Sequence, residues 1–246
     1  LPKTGYYISY TTNNREFSDI LWYSIITPCE EVIFMKKHCY IVGAGETDDS
    51  AVFEPDSYII AADGGYALLK RRGITPDLII GDFDSLGWVP QSGEVLRLPV
   101  EKDDTDLAVA LREAFSRGYS SITVYGALGG RLDHTLANLQ LIAAAASEGK
   151  EVYLVGGGYT VTALCGGSLH FAEGGSGYVS VFAHGGDAEG VYERGLKYPL
   201  DNATLTCRVP LGVSNEFTDA AASVSVSRGT LIIMWQGGSI PLRNLD

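Results

Sequence analysis

Asp82 and Asp84 stand two residues apart in Ile80-Gly81-Asp82-Phe83-Asp84-Ser85, at the end of the apolar run Leu78-Ile79-Ile80. Gly81 is expected to break a strand end into a loop that presents both carboxylates together. Oxygen ligands held this way suit a hard cation, usually Mg2+ shared with phosphates. An ordinary acidic turn is the plainer alternative. A second acidic stretch, Lys102-Asp103-Asp104-Thr105-Asp106, weighs against it. Capping of the following helix accounts for one or two of these residues, but not for three aspartates and a lysine. Asp106, in the first turn, would project from the same sheet edge as Asp82 and Asp84. Three carboxylates there repel one another without a cation, which favours Mg2+. Lys102 would then meet a phosphate as a point charge.

Gly129-Gly130-Arg131-Leu132-Asp133-His134 reads as a glycine turn that opens a helix. Its backbone N–H groups and the helix N-terminus form an anion site, and Arg131 adds a planar fork for phosphate oxygens. Asp133 either caps the helix or orients a substrate hydroxyl; a lone His134 is more often structural. Asp63-Gly64-Gly65 is a similar close-approach loop, with Asp63 available to a ribose or an amine. Gly212-Val213-Ser214-Asn215-Glu216-Phe217 places a hydroxyl and an amide beside an aromatic ring, a set that suits a flat heterocycle. On its own, that stretch also reads as a hairpin loop. Gly43-Ala44-Gly45 fails as a dinucleotide fingerprint, because the third glycine would fall on Asp48. No P-loop motif is present.

The elements that must position these residues alternate. Strand-like runs at Cys39-Val42, Tyr58-Ala62, Leu78-Ile80, Ile122-Tyr125 and Val152-Val155 are separated by helical patterns at Tyr66–Arg72, Asp106–Arg117 and Asp133–Ser147. This predicts an α/β domain over residues 35–157, built on a parallel sheet with helices on both faces. Ligands of such sheets bind beyond the carboxyl ends of the strands, where each of the acidic and glycine loops falls. From residue 158 to 246 short alternating runs replace helices and predict a C-terminal all-β sandwich domain. Its expected strands are Leu169-Phe171, Tyr178-Ala183, Thr204-Val209, Ser223-Ser227 and Leu231-Trp235, with turns at Gly185-Gly186-Asp187 and Arg228-Gly229.

The 246 residues carry a net charge of −12, which argues against nucleic acid or an anionic membrane as partner. A polyphosphate stays possible, because a bound cation neutralises it. Cys29, Cys39, Cys165 and Cys207 are scattered and read as small buried thiols of a reducing, cytoplasmic protein. No run is long enough for a membrane helix. Residues 1–34 read as an appended extension without chemistry, ahead of a natural-looking start at Met35. The sortase-like Leu1-Pro2-Lys3-Thr4-Gly5 stands at the wrong end of a chain to act as a sorting signal.

Taken in order, Asp63–Gly65, Gly81–Ser85, Lys102–Asp106, Gly129–His134 and Ser214–Glu216 resemble the motifs of the thiamine pyrophosphokinases, over roughly residues 38 to 236. The resemblance implies an α/β domain followed by a β-sandwich, and a homodimer with shared active sites. It implies transfer of diphosphate from ATP to the hydroxyl of thiamine, releasing AMP, with Mg2+ as cofactor. On that basis Asp82, Asp84 and Asp106 are the expected metal ligands, with Asp103 in support. Asp63, Gly64, Gly65, Lys102, Thr105, Gly129, Gly130 and Arg131 would face ATP. Asp133, Ser214, Asn215 and Phe217 would face thiamine, with Trp235 a less favoured stacking partner. Two other readings stay open: a diphosphokinase for another heterocyclic alcohol, such as a hydroxymethylpterin, and a nucleotide-sensing module without turnover.

Overall fold

The computed structural model describes residues 38–45, 51–83, 93–99 and 104–244. Asp84, Lys102, Asp103 and residues 1–34 lie outside them.

Leu78-Ile79-Ile80 shows how the first half folds. Its side chains alternate between two faces, and all three are buried, so both faces of the strand need cover. The strands β1 (Cys39–Val42), β2 (Tyr58–Ala62), β3 (Leu78–Gly81), β5 (Ser121–Tyr125) and β6 (Glu151–Gly156) form a parallel ladder in the order β6-β5-β1-β2-β3. A short edge strand, β4 (Glu94–Arg97), extends it beside β3. The sequence reading missed β4 because only Val95 and Leu96 are apolar in it. Helix α1 (Gly65–Arg71) packs Tyr66, Leu68 and Leu69 on one face, against Ile79. Helices α2 (Asp106–Ser116) and α3 (Leu132–Ser147) cover the other, where Leu111 and Ile142 meet Leu78 and Ile80. The expected helices on both faces are there.

The three helices among the described residues stop in the same way. Gly73, Gly118 and Gly149 sit at positive φ just past the last turn. The next residue's N–H reaches back to close a Schellman motif: Ile74 to Leu69 O at 2.9 Å, Tyr119 to Ala114 O at 3.2 Å and Lys150 to Ala145 O at 2.9 Å.

At Gly157-Gly158 the chain turns back, and β7 (Tyr159–Phe171) pairs antiparallel with β6. The sheet continues through β11 (Ala222–Gln236), β8 (Tyr178–Arg194) and β10 (Gly212–Glu216), with β9 (Leu200–Leu205) on β8 and β12 (Leu242–Asn244) on β7. Three expectations change here. Gly185-Gly186-Asp187 and Arg228-Gly229 are not turns between strands; pairing runs past them inside β8 and β11, with register shifts around Val226/Thr230 and Arg228/Thr230. Bulges absorb the glycines without ending the ladder. The strand expected at Thr204-Val209 ends at Leu205, leaving a single bridge between Thr206 and Val209. The Ser214 stretch is strand rather than loop.

Residues from both halves of the long strands, among them Leu164, Leu169, Val181, Val191, Val224 and Ile233, share one core. The C-terminal half is thus a sheet bent over on itself. Trp235, 1% exposed, belongs to that core and donates its indole N–H to Ser239 O at 3.0 Å. Of the thiols, Cys39 is buried as expected, but Cys207 is exposed. No described helix is long and apolar enough to cross a membrane.

Candidate active site

Beyond the carboxyl ends of β1, β2, β3 and β5 lies a cavity of about 770 Å³. This is within the range of small-molecule sites. Asp63, Asp82, Asp104, Thr105, Asp106, Gly129, Gly130 and Arg131 all line it, so the structure gathers stretches far apart in sequence around one space.

Each arrives there for a local reason. Asp82 directly follows β3, but Gly81 is not the turn-maker it was expected to be. It remains in the strand opposite Arg97, where a Cβ would meet Asp63 Cα at 3.2 Å. The chain turns two residues later, at Phe83, whose φ is +63°. Residues two apart along an extended strand share a face, so strand geometry by itself does not call for a glycine between two such carboxylates. A bulky residue in the left-handed region costs about 1–3 kcal/mol. Burying the Phe83 ring, 3% exposed in the α1-side core, offsets a similar amount. Asp63, at φ +46°, donates its N–H to Ile80 O at 2.7 Å, which ties the β2 and β3 loops together.

Asp106 opens α2. Thr105 is its N-cap, and its Oγ1 accepts the Ala108 N–H at 3.1 Å. The cap holds the first turn, and with it the Asp106 carboxylate, at the cavity edge. Asp104 instead accepts from the Arg112 guanidinium at 2.6 Å on the exposed side, which holds its carboxyl below the usual range.

On the β5 side, Arg131 is the N-cap of α3 and its side chain caps nothing. Asp133, in the first turn, accepts the His134 N–H on Oδ1 at 3.0 Å, so it does cap the helix, whose start adjoins Gly129 and Gly130. The Arg131 guanidinium forks onto Asp133, with Nε donating to Oδ1 at 3.1 Å and the terminal nitrogen to Oδ2 at 2.6 Å. That hydrogen bond lowers the Asp133 carboxyl and raises the arginine. Asp133 does not itself line the cavity.

Gly64 and Gly65 do not line it either. A Cβ on Gly65 would stand 1.9 Å from Val42 O, so this glycine lets α1 press against β1. Gly43, Ala44 and Gly45, set aside as a dinucleotide motif, do line the cavity, as do His134 and Asn138. A Cβ on Gly43 or Gly45 would meet Gly126 O at 2.8 or 2.5 Å. Two glycines at a strand end were the readable signal, whether or not a cofactor motif followed. Asn138, 6% exposed, donates to Ala127 O at 2.8 Å and so fixes the loop after β5. A polar residue inside an apolar helical pattern was its only sequence signal.

Ser214, Asn215 and Phe217 stand elsewhere: every residue described as lining the cavity comes from the chain before residue 139. Ser214 is exposed at φ +59°. Asn215 is 3% exposed, and its amide is fully committed to protein partners. The half-buried Phe217 ring packs edge-on against Phe171 at 5.2 Å.

Two family models match these two halves. The thiamin pyrophosphokinase catalytic domain matches residues 50–154, and the thiamin pyrophosphokinase vitamin B1 binding domain matches residues 168–231. The chain belongs to the thiamin pyrophosphokinase family.

It is an enzyme of that family. It is similar to the thiamine pyrophosphokinase of Bacillus subtilis (strain 168), with 28% identity over 197 residues, 77% of this chain and 89% of that protein. The crystal structure of a thiamine pyrophosphokinase from Bacillus subtilis superposes with a TM-score of 0.73 at 27% identity, covering 82% of this chain and 100% of that one. A family protein from Enterococcus faecalis gives 0.70 at 28%, covering 82% and 100%. The catalytic-domain match takes in Asp63, Asp82, Asp106 and Arg131, and the vitamin B1 match takes in Ser214, Asn215 and Phe217.

Proposed function

We propose that this chain transfers diphosphate from ATP to the hydroxyl of thiamine, giving thiamine diphosphate and AMP. The observation that carries the reading is the cavity itself. Carboxylates from two strand ends and a helix start line it together with a glycine turn and the start of α3. That is an arrangement for a metal-bound polyphosphate, because phosphoryl-type transfer depends on positioning and charge neutralisation.

Asp82 and Asp106 would hold Mg2+, with Asp84 as the third ligand. The donors are all oxygen, which fits a hard cation. Among the described residues no three acidic or histidine groups make a metal cage by themselves. Mg2+ is commonly held by only one or two carboxylates, with water and substrate phosphates filling the rest. When bound, it neutralises charge on the polyphosphate. Lys102 and the Gly129-Gly130 amides bind phosphate oxygens, and Thr105 keeps α2 in place for Asp106. Arg131 serves as a second fork once it shares or leaves Asp133. Asp63 faces the nucleotide, with Gly64 and Gly65 behind it, and Asp103 supports the metal ligands. A carboxylate of this group accepts the proton of the attacking hydroxyl.

Residues 35–157 then form the nucleotide half and 158–246 the thiamine half. Ser214, Asn215 and Phe217 lie on the second half, so a homodimer in which the cavity of one copy meets that segment of its partner completes the site. Leu132 and Leu136, 81% and 58% exposed one turn apart at the start of α3, support a covering partner there. The free thiols of Cys39, Cys165 and Cys207 suit a cytoplasmic enzyme.

Incubation with ATP, Mg2+ and thiamine, followed by identification of the nucleotide product, tests the reading. AMP with thiamine diphosphate is expected, and Asp106→Asn should lower turnover at least ~100-fold at unchanged melting temperature, within about 1 kcal/mol. ADP as product would replace the reading with a monophosphate kinase. Tight ATP binding without turnover would favour a sensor.

A further inference from the structure

Glu193 is 0% exposed on β8, in the C-terminal core, remote in sequence from every residue assigned above. Its Oε2 accepts one hydrogen bond, from Asn215 Nδ2 at 2.7 Å, and its Oε1 is buried without a partner. Burial is the main cause that pushes this carboxyl up to about 7, and the Asn215 hydrogen bond only partly opposes it. A buried acid with one partner is costly, and an apolar residue of similar size would ordinarily be more stable there. The cost is localised on one contact, and that contact is Asn215.

The amide of Asn215 does four things at once. Its Oδ1 accepts the N–H of Tyr198 at 2.9 Å and of Glu216 at 2.9 Å. Its Nδ2 donates to Tyr198 O at 2.7 Å and to Glu193. All its hydrogen-bonding capacity is thereby used, so the group works as an internal brace. Between Gly212 and Asn215 the β10–β8 register shifts, and Ser214 leaves the regular ladder at φ +59°. Asn215 is where pairing resumes, opposite Val179. Outside the brace lie the Lys197–Glu216 ion pair at 2.7 Å and the Tyr198 ring, 57% exposed.

A flipped amide would turn Oδ1 onto the carboxyl and Tyr198 O, and set Nδ2 against two N–H groups. Tyr198 O and the two N–H groups oppose that flip, and Glu193 adds an acceptor to the amide in its present orientation. We propose that Glu193 is a positioning residue for the thiamine-facing surface: through Asn215 it sets the backbone that presents Ser214, Glu216 and Tyr198. The proposal rests on the reading that this segment faces thiamine.

The test separates positioning from bulk stability by comparing Michaelis constants. Glu193→Leu fills the space and removes the acceptor, whereas Glu193→Gln keeps a carbonyl for the Asn215 N–H. Glu193→Leu should raise the thiamine KM about tenfold, the size of one lost hydrogen bond, with the ATP KM within about twofold. Glu193→Gln should stay within about threefold of the parent for both substrates. Ser214→Ala, run alongside, should also raise the thiamine KM. If Ser214→Ala does so but Glu193→Leu moves neither constant, or moves both equally, the positioning role falls and the thiamine reading stands. Glu193→Gln as impaired as Glu193→Leu would likewise remove it. If neither Ser214→Ala nor Glu193→Leu affects thiamine, both readings fall. Should Glu193→Leu not fold, the same comparison is read from Glu193→Ala against Glu193→Gln.

Discussion

Glu193 also makes a prediction that needs no substrate. An ordinary carboxyl of this type titrates near 4.5, whereas in the fold it is raised to about 7. Below 4.5 both folded and unfolded chains hold the proton, so the residue adds no pH dependence. Between 4.5 and about 7 the unfolded chain ionises first, and stability falls as pH rises. Above about 7 the loss is complete and levels off. At 1.36 kcal/mol per pH unit this is roughly 3 kcal/mol. Urea unfolding from pH 4.5 to 8 should therefore show wild type losing about that much relative to Glu193→Gln, whose amide does not titrate. Parallel curves for the two proteins would mean that the carboxyl is not held protonated. None of this was legible in the sequence, where Glu193 is one acid among many in a strand of mixed character. Phe83 gives the same lesson from the other side. Gly81 looked like the flexible residue, but its lack of a Cβ serves the approach of Asp63, and the aromatic takes the left-handed turn.

At the scale of the element, α2 shows the site resting on capping chemistry. Thr105 holds the first turn, and Asp106 is that turn. Thr105→Ala should cost about 1 kcal/mol of stability, measured by denaturant unfolding. It should also lower turnover about tenfold, because a frayed first turn misplaces the Asp106 carboxylate. Thr105→Ser keeps the acceptor and should remain near wild type in both measures. An unaffected turnover in Thr105→Ala would show that Asp106 needs no cap to do its work. This element was legible: Leu107, Leu111 and Phe115 recur at helical spacing, and Gly118 stands just past its end. The long strands β8 and β11 were not, because Gly185-Gly186 and Arg228-Gly229 carry turn chemistry that the fold uses for bulges inside continuous pairing.

For the whole molecule, the separation between the cavity and the Ser214 segment has a direct consequence. If two copies share each site, Asp106→Asn and Ser214→Trp damage opposite sides of it. Each variant alone should be nearly inactive. Co-expressed, about half of the dimers are mixed, and one of the two sites in each mixed dimer is intact. Activity should then recover to about a quarter of wild type per chain. A co-expressed pair as inactive as its components would place cavity and segment on one copy.

The sequence by itself determined the alternation of strands and helices, the two faces that need cover, and the strand ends at which chemistry belongs. These follow from hydrophobic period and from capping and turn chemistry, which act over a few residues. Asp82, Asp106 and the Gly129-Gly130 turn could therefore be named in advance as residues beyond a sheet. Only the tertiary structure decided that they line one cavity together with Gly43, Gly45 and Asn138, because the spacing between β1, β3 and β5 is set by sheet order. It alone decided which glycines are needed, since Gly65 and Gly81 are constrained by backbone atoms far away in the chain. It also separated Asn215, which braces its surroundings from within, from Ser214, which stands on the surface. Burial and a partner's location are properties of the packed chain, and no local pattern carries them.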